Sequence, residues 1–321
     1  MSLIPLEPFS LVGLSRARRV LLIDSNNIGW RSWHSKGYSF MTGSNGQRSG
    51  HVFGFCKTVL AFLRQRTSLP TSVVYAIDGH PVDKYAAFPE YKGNRSRSHA
   101  HGDPMPDVTR LVQHLPGYVL HHPEHEADDV IASFEARFRK RERRAGRRQQ
   151  ARIIVVSGDH DMLQLATKNT VIQPRAGDSP VAIDQIADKL HRSWKNTPPA
   201  LGPEHVALWK ALFGDSSDNI RGVPRLRKAP VAVVLAASDG TLANFLDRAR
   251  KHLGKAHLDR LLEHENVVQA NLELIRLRRK LRVWPQRTKV DARVLHRLVV
   301  KQFGCVSLAE DLERMTGGNN G

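Results

Sequence analysis

Three short apolar runs, each closed by an aspartate, constrain the fold of this 321-residue chain more than any other feature. They are Val20-Leu21-Leu22-Ile23-Asp24, Val73-Val74-Tyr75-Ala76-Ile77-Asp78, and Ile153-Ile154-Val155-Val156-Ser157-Gly158-Asp159. Runs this short and this apolar read as strands buried on both faces. Helical spacing lies between them: residues 50–66 carry apolar positions at Val52, Phe55, Val59, Leu60 and Leu63, and Glu126 to Arg137 reads as another helix. Tyr118-Val119-Leu120 adds a further strand. Such alternation predicts an α/β fold, a mostly parallel central sheet with helices on both faces. Ligands of these sheets collect outside the carboxyl ends of the strands. Asp24, Asp78, Asp159 and Asp161 are therefore expected along one edge.

Further acids crowd elsewhere. His125-Glu126-Ala127-Asp128-Asp129-Val130 holds three carboxylates in four residues. Two charges 4 Å apart repel by about 4 kcal/mol at an effective dielectric near 20. Taken alone, these acids would complement the dipole of a helix N-terminus. Together with the strand-end aspartates, and with Asp215 and Asp218 in the turn Gly214-Asp215-Ser216-Ser217-Asp218-Asn219, they ask for cations. Oxygen ligands without histidine or cysteine suit Mg²⁺ or Mn²⁺. Nine acids are too many for one ion and enough for two, which could clamp the attacking and leaving oxygens of a phosphoryl displacement. His121, His122 and His125 lie nearby, but 16 histidines make chance adjacency the better account than a zinc site. No GxxxxGK[ST], GxGxxG or GxSxG pattern occurs, which leaves triphosphate, dinucleotide and serine-nucleophile chemistry without support.

Charge points the same way. Lys and Arg number 49 against 31 Asp and Glu, a net +18 that predicts a polyanionic partner, most often nucleic acid. An anionic membrane is the competing partner, but no apolar run long enough to span one is present. Residues 80–115 are polar, basic and punctuated by Gly and Pro, with Lys84, Lys92, Arg95 and Arg97 interleaved with Tyr85, Phe88 and Tyr91. The run Arg137 to Arg152 holds nine Lys/Arg and one Glu, and reads as a solvated helix end and loop that adds non-specific phosphate affinity. Only Cys56 and Cys305 occur, and Met1 to Arg19 lacks the order of a signal peptide, so a reducing cytoplasm is expected. Residues 1–18 read as an extension, 19–195 as the α/β domain with the 80–115 segment inside it, 196–300 as a helical subdomain after the break at Asn196-Thr197-Pro198-Pro199, and 301–321 as a tail whose glycine-rich end is expected to be disordered.

Six motifs, LLIDSNN, YAIDG, FPEYKGNR, HEADDV, VSGDHDMLQL and LFGDSSDNIRGVP, follow in the order seen in one family. Over roughly residues 19 to 280 the chain resembles the 5′→3′ exonuclease domain of bacterial DNA polymerase I and the related phage flap endonucleases. The resemblance implies a PIN-like 5′-nuclease domain with a helix–hairpin–helix subdomain. It implies a first metal site of Asp24, Asp78, Glu126, Asp128 and Asp129, and a second of Asp159, Asp161, Asp215 and Asp218. Tyr91, Lys92 and Arg95 match the arch under which a single-stranded 5′ end passes; Lys92 and Arg95 would hold the scissile phosphate and Tyr91 would offer a base a stacking face.

The chain departs from the pattern in places. The family follows Gly-Val-Pro with Gly-Ile-Gly, whose amides approach a duplex phosphate and a monovalent cation such as K⁺. Here Arg225-Leu226-Arg227-Lys228 follows Gly222-Val223-Pro224, losing two glycines and the positive-φ freedom they bring. Arg221 stands for the usual Pro, Pro230 sits where the next helix begins, and Ser96 to Asp103 looks inserted. Arg221, Gly222, Val223, Arg225, Arg227 and Lys228 are the expected duplex contacts, with charge replacing amides. With no polymerase domain following, the expectation is a stand-alone monomeric nuclease, nucleoid-associated or in the host cytoplasm if phage-encoded. It would be Mg²⁺-dependent, with Mn²⁺ able to substitute, and cut DNA bearing a 5′ single strand or flap, RNA primer strands among its substrates. The alternatives are a ribonuclease with a related acid site and a non-catalytic basic DNA-binding protein.

Overall fold

The structure is a computed structural model that describes residues 11–44, 46–65, 69–94, 102–193 and 201–316. Expectations for residues 1–10, Arg95, Arg97, the insertion over 96–101, the break at 196–199 and the end at 317–321 fall outside them.

In chain order the α/β layer comprises β1 (Arg19–Asp24), α1 (Ser25–Trp33), α2 (Gly50–Leu63), β2 (Thr71–Ile77), α3 (Val82–Ala87), α4 (Met105–Val112), β3 (Tyr118–His121), α5 (Ala127–Arg144), β4 (Arg152–Val156), β5 (Thr170–Ile172) and α6 (Ile186–Ser193). A helical set follows: α7 (Val206–Phe213), the hairpin β6 (Gly214–Asp215) and β7 (Ile220–Arg221), α8 (Lys228–Ala236), α9 (Leu242–His252), α10 (Lys255–Glu263) and α11 (Glu265–Ile275). The chain then closes with β8 (Gln286–Arg287), α12 (Ala292–Leu295) and α13 (Ala309–Thr316).

The main sheet runs β5-β4-β1-β2-β3-β8 and is parallel except for its β3–β8 edge. Successive side chains of a strand point to opposite faces, and here both faces are apolar. Val20, Leu22, Val74, Ala76, Ile153 and Val155 enter one core with α5 and α7, while Leu21, Ile23, Val73, Tyr75, Ile154 and Val156 enter the other with α2 and α4. This explains the unbroken apolar runs. The order reverses between β1 and β4, where a doubly wound sheet opens its ligand crevice. Asp24 ends β1 beside Ala76, Asp78 follows β2, and Asp159 follows β4.

Two expectations are corrected. Residues 301–316 are not a tail: Phe303, Leu308, Leu312 and Met315 are buried in the core that holds α2, because the last helix is amphipathic. Residues 276–300 do not belong to the helical subdomain, since β8 extends the main sheet and Leu295, Leu298 and Val299 pack in that same core. Within residues 80–115, α4 buries Val108, Leu111 and Val112. No helix among the described residues is long and apolar enough to cross a membrane.

Candidate metal centre and nucleic-acid cleft

A cavity of about 460 Å³ opens at the β1–β4 reversal, lined by Asp24, Asp78, Asp128, Asp159, Lys92 and the first helix's Trp30, Arg31 and His34, among others. Local structure fixes each acid. Asp24 caps α1 by accepting the Asn27 N–H at 3.0 Å, and Ser157 Oγ donates to its other oxygen at 2.7 Å. Asp78 caps α5 by accepting the Ala127 N–H at 2.7 Å, so Asp128 is delivered by the first turn of a helix whose end another ligand candidate holds. Asp159 accepts the Asp161 N–H at 2.8 Å and starts a short 3₁₀ turn, His160–Leu165. Burial, then the charges of Asp78 and Asp159, push the Asp24 carboxyl up to about 7 against its hydrogen bonds. Burial, Asp159 and Asp24 raise Asp128 well above the ordinary range, with Lys92 opposing. Four carboxylates thus repel one another in a shared space.

Beside them, Asp161, Asp215 and Asp218 bring one carboxylate oxygen each within 4.8 Å of one another, the tightest acid grouping among the described residues. Lys210 from α7 lies 2.5 Å from both Asp161 and Asp215. Burial raises Asp161 to about 7 even though Lys210 pulls it down, and Asp159 adds to the rise. For Asp215 burial is outweighed by Lys210 and Ser217, and its carboxyl falls below the usual range.

Glu126 and Asp129 do not line the cavity with the other three acids expected of the first site. Glu126 accepts from Lys84 Nζ at 2.7 Å and Tyr91 Oη at 2.9 Å and is paired with Lys92. Burial would raise it, but Lys84 and Lys92 win and hold it at about 2. Asp129, fully buried, takes the Arg278 N–H at 2.8 Å and lies 3.3 Å from Lys84. Asp129 points away from the cavity because consecutive helix residues are about 100° apart, whereas Asp159 lines the cavity with Asp24 and Asp128.

Tyr91 offers no stacking face. It is 2% exposed, edge-on to Tyr85, with Lys84 and Lys92 over its ring, and its hydroxyl reaches Asp218 at 3.2 Å. The aromatic that lines the cavity is instead Trp30, stacked at 5.6 Å on His34. Their i, i+4 spacing on α1 was the available signal. Lys210 was also missed, although a single cation in the apolar helix VALWKALF marks a buried charge with a partner. Lys92 holds a left-handed backbone, φ 54°, and its N–H donates to the Asp218 carbonyl at 3.1 Å. Strain of this kind persists where surrounding contacts impose it.

The hairpin displays Arg221, Arg225, Arg227 and Lys228 as exposed cations. Val223 is 6% exposed with its N–H on the Leu212 carbonyl, so it anchors the turn and faces no partner. Gly222 is required sterically: a Cβ there would stand 2.3 Å from the Phe213 carbonyl carbon. Arg225 adopts φ 57°, keeping without glycine the backbone for which glycine is suited.

The donor set fits divalent cations. It is all carboxylate and buried or half-buried; burial, with mutual repulsion added, raises Asp24, Asp128 and Asp161, and only Asp215 is brought down by Lys210.

Residues 19–191 match the sequence family described as the 5′-3′ exonuclease, N-terminal resolvase-like domain. The chain is similar to DNA polymerase I of Bacillus caldotenax, 26% identical over 270 residues, covering 82% of this chain but 28% of that protein. It therefore spans under a third of the length of such relatives. Its fold is similar to that of the bacteriophage T5 flap endonuclease in a complex with DNA and metal ions, with TM-score 0.56, 17% identity, and coverage of 93% of this chain and 99% of the other. It is also similar to flap endonuclease-1 from Methanococcus jannaschii, with TM-score 0.54, 10% identity, and coverage of 96% and 95%.

Proposed function

This chain belongs to the 5′-3′ exonuclease family of the N-terminal resolvase-like domain, and from that premise we propose that it is a Mg²⁺-dependent, structure-specific 5′ nuclease that hydrolyses DNA at a single-stranded 5′ end or flap. The observation that carries this is the meeting of seven aspartates from distant parts of the sequence at one sheet edge, four around the cavity and three beside it. Asp24, Asp78, Asp128 and Asp159 would hold one ion and Asp161, Asp215 and Asp218 a second. Bound there, Mg²⁺ or Mn²⁺ supplies an acidified water and neutralises charge on the phosphodiester.

The protein's own residues do the rest. Lys92 lines the cavity while its ammonium pairs with Glu126, and a backbone phosphate entering the cavity would share that ammonium. Arg95, three residues on, would extend that contact. Tyr91 ties Glu126 to Asp218 of the second group; its role is positioning. Trp30 and His34 present stacked rings to a base at the cavity wall. Arg221, Arg225, Arg227 and Lys228 would grip the duplex by charge, with low sequence specificity. A protein that merely binds DNA gains nothing from buried like charges facing its anionic partner, and this argues against the non-catalytic reading.

Asp128→Asn and Asp159→Asn should each abolish Mg²⁺-dependent cutting of a labelled 5′-flap substrate while leaving DNA affinity nearly unchanged. Wild-type cutting rates in both would remove the basis of the proposal. Running RNA and DNA flaps side by side separates a ribonuclease from a deoxyribonuclease.

A further inference from the structure

Trp284 is 68% exposed, whereas Trp33 and Trp209 are buried and Trp30 is half-buried. The neighbouring backbone fixes this display. Val283 before it is 2% exposed, Pro285 after it confines Trp284 to extended backbone, and Gln286–Arg287 pair with β3 as β8. The Arg137 guanidinium lies 4.1 Å from the ring centroid and is itself held by the Leu281 carbonyl at 2.9 Å. Folding makes no use of the exposed part of this ring.

The surroundings are uniformly cationic. Lys280 and Arg282 are exposed with Trp284, while Leu281 and Val283 turn inward, the alternation of an extended segment. Alongside, α5 presents Arg137, Lys140, Arg141 and Arg144 at i, i+3, i+4 and i+7, one helical face. Glu135 and Glu142, which would offset them, are buried on the opposite side with Arg139. The sequence from 280 to 287 contains no acid. Arg137 lies nine residues beyond Asp128, about 14 Å along the helix axis, and no residue of this stripe lines the acidic cavity.

We propose that Trp284 and the flanking cations form a second, non-catalytic contact for single-stranded polynucleotide, outside the cleft. A displayed indole with a guanidinium on one face suits a base stacked on it, with phosphates on the neighbouring lysine and arginines. Duplex does not use such a ring, because its bases are already stacked on one another. The choice of partner rests on the nuclease reading above; the surface itself does not.

The test is equilibrium binding by fluorescence anisotropy in EDTA, using the full chain carrying Asp128→Asn as parent. Its ligands are oligothymidylate and oligouridylate of about 20 nucleotides, a blunt duplex and polyglutamate. Trp284→Ala should weaken single-strand binding about tenfold and Trp284→Phe should recover most of it, with duplex affinity unchanged. Arg141→Gln with Arg144→Gln should lower the slope of log K against log salt by about 1.4. The better-bound of the two single strands identifies whether DNA or RNA is the source. Unchanged single-strand affinity in Trp284→Ala, an equal loss for the duplex, or preferential capture of polyglutamate would overturn the assignment. Flap cleavage by protein with Asp128 intact is measured separately, so failure of the nuclease reading is distinguishable from failure of this one.

Discussion

Lys84→Met isolates the part of the site that the protein must compensate for itself. Lys84 is 5% exposed and pairs with both Glu126, at 2.7 Å, and Asp129, at 3.3 Å. Glu126 is held at about 2 against an ordinary 4.5, a difference equivalent to about 3 kcal/mol. Lys92 keeps a share of that, but Asp129 loses its ammonium altogether, and breaking a buried pair from one side costs about 3–5 kcal/mol. A loss of about 3 kcal/mol at neutral pH follows, or about 4–5 °C in melting temperature for a chain of this length. Because the folded pKa of Glu126 is depressed, its contribution is present above the unfolded value and disappears as pH falls through about 2. The gap between variant and wild type in urea unfolding should therefore narrow from about pH 5 downward. Lys84→Met combined with Glu126→Gln should be less destabilised than the two single changes together, by about 1–3 kcal/mol. A wild-type midpoint for Lys84→Met, or a deficit as large at about pH 3 as at about pH 7, refutes the reasoning.

Lys210→Met should melt well below wild type in EDTA and recover most of the difference in Mg²⁺, since Asp161 and Asp215 then depend on the added cation; equal deficits in both buffers would contradict this. Asp24 and Asp161 have raised folded pKa values, each about 7, so in EDTA their effect is to lower stability as pH climbs from about 4 to about 7. Mg²⁺ should flatten that decline, and parallel melting curves with and without it would count against shared cation sites. Gly222→Ala should cost about 1–3 kcal/mol or more, read from urea midpoints, because the new methyl meets backbone and not a movable side chain.

The sheet was legible because two-sided burial leaves an unmistakable trace. Val20 to Ile23, Val73 to Ile77 and Ile153 to Val156 could be nothing but central strands, and their closing aspartates then had to share an edge. Elements held by distant partners left no such trace. Gln286–Arg287 is polar and exposed, a strand only because β3 lies beside it, and α13 shows its amphipathic face only once Phe303 and Leu308 are known to cover α2. Within the site, sequence order misassigned neighbours. Asp128 and Asp129 are adjacent in the chain yet face opposite environments, while Asp24 and Asp159 are far apart and repel each other directly. Tyr91 read as a surface aromatic among basic residues, but its hydroxyl has two buried carboxylates to reach, and that outweighs exposure.

The lysines divide the acids into two kinds, and the division bears on how the proposed ions would bind. Around Asp24 the described hydrogen bonds come from neutral donors, the Asn27 amide and the Ser157 hydroxyl. Neutral donors soften repulsion without cancelling charge, so Asp24 and Asp128 remain raised in pKa. A cation arriving there meets carboxylates that Lys92 offsets only in part, and gains most of the electrostatic benefit once it has displaced any proton. Asp161 and Asp215 already share the Lys210 ammonium at 2.5 Å. A divalent ion near them must share those oxygens with a resident positive charge that cannot leave, only swing aside. The two positions are therefore unequal by construction: the cavity formed by Asp24 and Asp128 should fill at lower cation concentration than the Asp161–Asp215–Asp218 group. Lys210 keeps that second group folded when cations are scarce and weakens its hold on them when they are present.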